Sequence, residues 1–318
     1  MRNEIEYAIK YQKFIDEELV AQSKTQWMVP ADDQIEYDGG DEIKIAEIST
    51  SGLGNYDENS TSNAYPSGKV TQKWNSYKFT MDRAVDFLLQ RTTPSDSGFI
   101  ATAENVIKIF TNKEVVKELD TYRLNRIYNA LLADTKYAAS HVFSEAAITE
   151  SNIIATFNKM INIAKEDSED ATALVAYMPI SYGSILRGIS KNTNNAIEFG
   201  KTVVINGITY KGVIVINEIP VLLVPKKRLV TKLVVNDGRT SGQTDGGVIS
   251  ATDAKQIHML VVGTDAPIAA AKIDSLKQFS AEENQLSDGT AIKFHQKHDC
   301  WVKKNQIVTV AAVTVPTV

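Results

Sequence analysis

His298 and Cys300 stand two residues apart in a stretch, Ala291 to Val302, that reads as a β-strand. Their side chains therefore fall on one face, where an imidazole and a thiolate could begin a metal site. His295, an odd number of positions away, falls on the other face. A closed zinc site needs a second pair of ligands. Cys300 is the only cysteine, and His141 and His258 lie in distant segments, so the pair reads as packing. Nucleophile motifs are equally thin, since Gly183-Ser184 sits in Tyr-Gly-Ser-Ile without the second glycine of a nucleophile elbow. Gly52-Leu53-Gly54 lacks the third glycine and the following helix of a dinucleotide fingerprint, and reads as a loop. Asp237-Gly238 and Asp245-Gly246 are turn chemistry without the spaced oxygen ligands of a calcium loop. The sequence thus assigns no catalytic, cofactor-binding or metal-ligating residue and implies no cofactor.

Composition narrows the class further. A chain of 318 residues can bury a real core, and its length suggests two domains. The net charge of −5 and the absence of a long basic block argue against tight nucleic-acid binding; Lys226-Lys227-Arg228 reads as a solvated strand end. A single cysteine excludes an intrachain disulfide and suits a reducing cytoplasm. The charged start, MRNEIEYAIKYQKFIDEEL, does not resemble a secretory signal, and the weakly polar run from Gln306 to Val318 is shorter than the ~20 residues of a membrane helix.

The elements that would position any site begin with a long helical pattern from Phe99 to Leu132. Ile100, Ala103, Ile107 and Phe110, then Val116, Leu119, Ile127 and Leu131, form one buried stripe. Pro94 and Gly98 punctuate its entry, and Ser95, Asp96 or Ser97 could cap it. Unbroken, it would span about 50 Å at ~1.5 Å per residue. Thr111 to Lys113 interrupts the stripe, so two consecutive helices fit equally well. Before it, residues 1 to 28 carry a thin apolar stripe that could lie across another surface as an arm or dock on its own core. Residues 42 to 81 alternate at Ile43 and Ile45 and again at Tyr77, Phe79 and Met81, around a Gly, Ser, Asn and Asp-rich middle. This predicts a long β-hairpin with a polar tip and no fully apolar face. A two-stranded ribbon is marginal alone, so it needs a surface, on another molecule or on its own domain.

After the helical pattern the chain reads as α+β. A helix runs from Thr149-Glu150-Ser151 through Ala164 to the acidic run at 166–170; a strand follows at 173–178 and a helix at 179–189. Asn206-Gly207 marks a hairpin within 202–215. Strands follow at 219–224 and 229–235, a polar loop at 236–247, a strand at 257–262, a turn of helix at Pro267 to Ala271, and strands at 273–279, 291–302 and 306–315.

Several segments in this order, ISTSGLGNYDENS to KVTQKWNSYKFTMDRAVDFLLQ, FTNKEVVKELDTYRLNRIYNAL, NEIPVLLVPKKRLVT and KHDCWVKKNQ, resemble the major capsid proteins of tailed bacteriophages. The resemblance spans about Ile43 to Val310 and implies the Hong Kong 97 type fold. Lys117 departs from the family's proline there, which favours a more continuous helix. The resemblance implies an N-terminal arm at 1–41, an extended hairpin loop at 42–82, and a peripheral domain with its spine helix at 83–139. An axial domain would follow at 140–260, with the loop at 236–247 a candidate for its tip, and 261–318 would return to the peripheral domain.

It further implies a non-enzymatic shell protein assembling with itself as hexamers and pentamers into an icosahedral head. Its expected partners are a separate scaffolding protein, since the chain starts directly with the arm, a portal, possibly a decoration protein, and packaged DNA held weakly and non-specifically. The expected location is the virion, after assembly in the host cytoplasm. A nanocompartment shell enclosing an enzyme cargo is the alternative on the same fold, and a soluble enzyme with an unrecognised site is a third reading.

Overall fold

The computed structural model describes residues 22–30, 36–37, 42–56, 58–59, 64–90, 103–166, 168, 173–192, 197–284 and 289–316. The chain divides into a body, Met1–Val29 with Met81–Val318, and a second unit, Pro30–Thr80.

The second unit is a three-stranded antiparallel sheet in the order β1 (Glu36–Tyr37), β2 (Glu42–Thr50), β3 (Val70–Lys78). β2 and β3 stay in unbroken register from Glu42↔Lys78 to Thr50↔Val70, which realises the predicted hairpin. Ile43, between register partners Tyr37 and Tyr77, is fully buried, while Val70 to Trp74 is exposed at every position.

In the body, a seven-stranded sheet runs β5 (Val142–Ser144), β15 (Ala311–Thr314), β12 (Ile257–Gly263), β6 (Leu174–Pro179), β9 (Ile219–Val224), β8 (Ile208–Ile216), β7 (Ile197–Ile205). Only β15 with β5 and β6 with β9 are parallel. The central strands are buried at every residue because both faces are covered. Alternate side chains part accordingly. Val175, Tyr177, Leu260 and Val262 face a core shared with Leu124, Ile127 and Leu131 of α2 (Val116–Ala133). Ala176, Met178, Met259 and Val261 face α4 (Ile153–Glu166) and α5 (Tyr182–Asn192) through Phe157, Met160 and Leu186. A short α3 (Ala138–His141) leads into β5.

A separate antiparallel sheet, in the order β13 (Pro267–Phe279), β14 (Gly289–Val302), β4 (Met81–Gln90), packs against the first half of the long helix. Ile107, Val115, Val116 and Leu119 meet Leu276, Ile292 and Phe294 there. Phe110 stands edge-on between Phe87 and Phe294, at 5.1 and 5.5 Å.

The long helix is continuous but not uniform. α1 (Ala103–Phe110) passes into a π turn at Thr111–Val115 and then into α2. The interruption in the apolar stripe is that wider turn, where the Thr111 hydroxyl donates to the Ile107 carbonyl at 2.9 Å. The extra residue resets the stripe so that Ile107 and Val115 share one sheet. Lys117 lies inside α2, as the missing proline favours. Residues 91–102, with the entry and caps of the pattern, lie outside the described residues, as do residues 1–21.

Three expectations change. Pro267 to Ala271 is the start of β13, paired from Pro267↔Val302 to Ala271↔His298, and not a helical turn. Ala269 and Ala270 are buried there, and pairing outweighs alanine's helix preference. Gln306 to Val315 splits into a 3-10 turn, Lys304–Thr309, and β15, while the strand expected from Leu229 shrinks to β10 (Leu233–Val235). The Asn206-Gly207 turn is as expected, with φ of 45° and 82°, both positive.

Candidate functional site

The residues that sequence spacing nominated for chemistry are packed away. His298 is buried on the helix side of β14, edge-on to Tyr122 at 5.3 Å, with its Nε2 3.4 Å from Glu118 Oε1. Cys300 lies in the core between α2 and the sheet, and burial pushes its thiol up to about 12. His295 is on the opposite face, against Asp82 of β4. His141 and His258 are held elsewhere: His141 Nδ1 is 2.9 Å from the Val310 carbonyl, and His258 lies between the Tyr182 hydroxyl and the Glu145 carbonyl. No group of three or more metal-ligating side chains converges among the described residues. Asp237 closes a turn, accepting from the Thr240 side chain and from the backbone N–H groups of Thr240 and Arg239. These bonds hold its carboxyl at about 2.

Two buried polar junctions were not anticipated. In the first, Asp120 of α2 is fully buried and accepts from Ser23 Oγ at 2.6 Å, Lys24 N at 3.1 Å, Thr25 Oγ1 at 2.7 Å and Arg228 Nη1 at 2.8 Å. A carboxylate with this many donors meets its desolvation cost through charge-assisted bonds. Next to it Trp27 is buried, its Nε1 donating to the Tyr177 hydroxyl at 2.7 Å, and that hydroxyl donates to the Lys24 carbonyl at 3.0 Å. Residues 23–28 thus form a plug between α2 and the seven-stranded sheet, docked on the body's own core. Arg228 turns inward to it, so only Lys226 and Lys227 of the basic run are solvated. Arg123 is buried beside Asp120, its Nη1 donating to the Thr25 carbonyl at 3.2 Å, and Asp120 and Arg123 occupy helix positions that the apolar stripe leaves blank between Leu119 and Ile127, the one sequence signal available.

In the second junction Arg83 of β4 grips Glu118 with two nitrogens, Nε at 2.7 Å and Nη2 at 3.2 Å. Its Nη1 donates to the Asn236 carbonyl at 2.9 Å. Burial pushes the Glu118 carboxyl up, but His298 and Arg83 more than offset this and hold it below its ordinary range. The root of the 236–247 loop is therefore fastened to β4 and α2. The ribbon that carries the loop, β10 with β11 (Val248–Ser250), packs Leu233 and Val248 on Met81 and Tyr122.

Among the described residues the hairpin displays several exposed large side chains. Val70 and Trp74 of β3 are 72% and 51% exposed, and at the tip Leu53, Tyr56 and Tyr65 are 107%, 56% and 71% exposed. Large apolar side chains displayed along a ribbon are characteristic of contact surfaces rather than of catalysis.

No family model and no curated protein matches the sequence. Solved structures do match. The capsid of the cyanophage P-SCSP1u aligns with a TM-score of 0.57 at 11% identity, covering 88% of this chain and 84% of that chain. The mature capsid of bacteriophage PhiM1 aligns at 0.53 and 11% identity, with the same coverage. The fold is that of tailed-phage capsid proteins. A virus-like particle from Pyrococcus furiosus also aligns, at 0.50 and 10% identity, over 98% of this chain and the whole of that one. Identities this low speak for the capsid fold of the chain and leave its role to be argued from its surfaces.

Proposed function

We propose that this protein is a major capsid protein that assembles through hexamers and pentamers into the icosahedral head of a tailed phage. The observation that carries this reading is the likeness to phage capsid structures over 88% of the chain. The exposed ribbon supports it, because a shell subunit needs elements that find their packing partner on a neighbour. In this role 1–41 is an N-terminal arm, 42–82 the extended loop, 83–139 and 261–318 the peripheral domain around the spine helix, and 140–260 the axial domain. The chain does no chemistry of its own. Its partners are copies of itself, then a scaffolding protein, a portal and possibly a decoration protein, with DNA contacted weakly inside, and its place is the virion.

The near-complete alignment with the Pyrococcus furiosus particle favours one second reading, an encapsulin-like nanocompartment around an enzyme cargo. Negative-stain micrographs and sedimentation of the purified protein test both. Closed shells or capsomer rings are expected, and a monomer under all assembly conditions would overturn both. Terminase and portal genes beside the coding sequence select the phage head, and a cargo-enzyme gene selects the compartment.

A further inference from the structure

We propose that Arg123 holds a small monovalent anion, a chloride, in the core behind the 23–28 plug, an inference independent of the shell reading. Arg123 lies on α2 and is 1% exposed. Its Nη1 donates to the Thr25 carbonyl and to Thr25 Oγ1, both at 3.2 Å. Its Nε and Nη2 are buried, and no acceptor among the described residues comes within hydrogen-bond reach of either. These two nitrogens share one edge of the planar guanidinium, the edge with which Arg83 grips Glu118 at 2.7 and 3.2 Å. In Arg123 that fork is left to a ligand.

The groups around Arg123 do not supply the counter-charge. Asp120 Oδ1 accepts from Ser23 Oγ and Thr25 Oγ1, and Oδ2 from Lys24 N and Arg228 Nη1, so its lone pairs are taken and its charge is matched by Arg228. Asp299 is engaged by the Tyr122 hydroxyl at 3.0 Å, Cys300 N at 2.7 Å and Arg126 Nε at 3.5 Å. Cys300 lies within electrostatic reach of Arg123, but burial pushes its thiol up to about 12, so it is uncharged near pH 7. Tyr177 and Tyr210 are also within reach, and burial raises both. A guanidinium keeps its proton at neutral pH, so Asp120, Arg123 and Arg228 sum to one uncompensated positive charge beside two unfilled N–H groups. Such a charge is costly to bury without a partner. One monovalent anion on the fork cancels the charge and fills both donors. Full burial selects a small ion, enclosed as the chain folds, over a phosphate or an organic acid. Because Nη1 of the same guanidinium holds Thr25, the ion and the docking of the plug are linked.

Urea melts of the full chain in sodium chloride and in sodium gluconate at one ionic strength test the linkage, and crystals grown with bromide test the place. The unfolding equilibrium constant should fall about tenfold for each tenfold rise in chloride above its dissociation constant. The anomalous signal of bromide should lie against Arg123 Nε and Nη2. Arg123→Met and Arg123→Lys, which lack the fork, should lose the chloride dependence. Chloride dependence that persists in both variants, or that comes with no bromide at Arg123, overturns the site. Bromide at Arg123 without chloride dependence is an adventitious ion only and overturns it as well, and the lack of both signals assigns the fork to water. Should neither variant fold, the bromide position and the chloride dependence of the wild-type chain decide the matter. None of these readouts requires shells to form, so this proposal and the shell reading fail separately.

Discussion

Asp120 shows how much a single buried carboxylate can organise. It holds three groups of the 23–25 segment and Arg228 at once, so truncating it leaves a guanidinium and several donors without an acceptor. Breaking a buried charge pair by removing one partner costs about 3–5 kcal/mol. Asp120→Ala should lower the urea midpoint accordingly, and an unchanged midpoint would show the plug to be incidental. Two imidazoles set the acid limb of stability. Burial lowers the pKa of His258 and of His298 below the ordinary 6.5. The His258 tautomer fits this: Nε2–H donates to the Glu145 carbonyl while Nδ1 accepts from the Tyr182 hydroxyl at 2.5 Å. Both groups bind protons more weakly folded than unfolded, so stability falls as the pH drops below about 6.5. Glu118, held below its ordinary 4.5, adds stability that is present above that value and is lost as the pH falls through its folded pKa. Urea melts between pH 7.5 and 5.5 should show this decline in the wild type and a shallower one in His258→Gln. Equal slopes would contradict the assignment.

At the scale of elements, the π turn decides which way α1 faces. One residue fewer would restore the α-helical register and rotate α1 by about 100° relative to α2. Ile107 and Phe110 would then swing off the β13–β14–β4 sheet that they now cover. Deleting Asn112 should therefore raise amide exchange across Ala103–Phe110 while α2, buried nearly all round, keeps its protection. Protection of both segments in the deletion variant would mean that the turn carries no register information. The stripe's break at Thr111 was legible in the sequence because it is a matter of spacing. Whether it meant two helices or one with a wider turn depended on the sheet beneath, which rewards keeping both halves against the same surface.

At the scale of the molecule, the body and the hairpin unit are built on different terms. The body buries two helix-covered sheet faces and the helix side of a second sheet. The hairpin unit buries Ile43 and leaves Val70 to Trp74 in solvent. Deleting Ser51 to Ser67 should leave the melting curve of the body in place and abolish shells in sedimentation. Normal shells from that variant would remove the hairpin from the assembly mechanism.

Local pattern alone determined the α+β composition, the long helix with its break, the polar-tipped hairpin and the Asn206-Gly207 turn, because periodicity and turn chemistry act within a few residues. It also placed His298 and Cys300 on one face, which strand alternation requires. Only the tertiary structure decided that these two are packing residues, that Pro267 to Ala271 is strand, and that Asp120, Arg228 and residues 23–28 form a single plug. Those outcomes depend on partners outside any local window, Glu118 for His298, Val302 for Pro267 and Arg228 for Asp120, where burial and pairing override local preference.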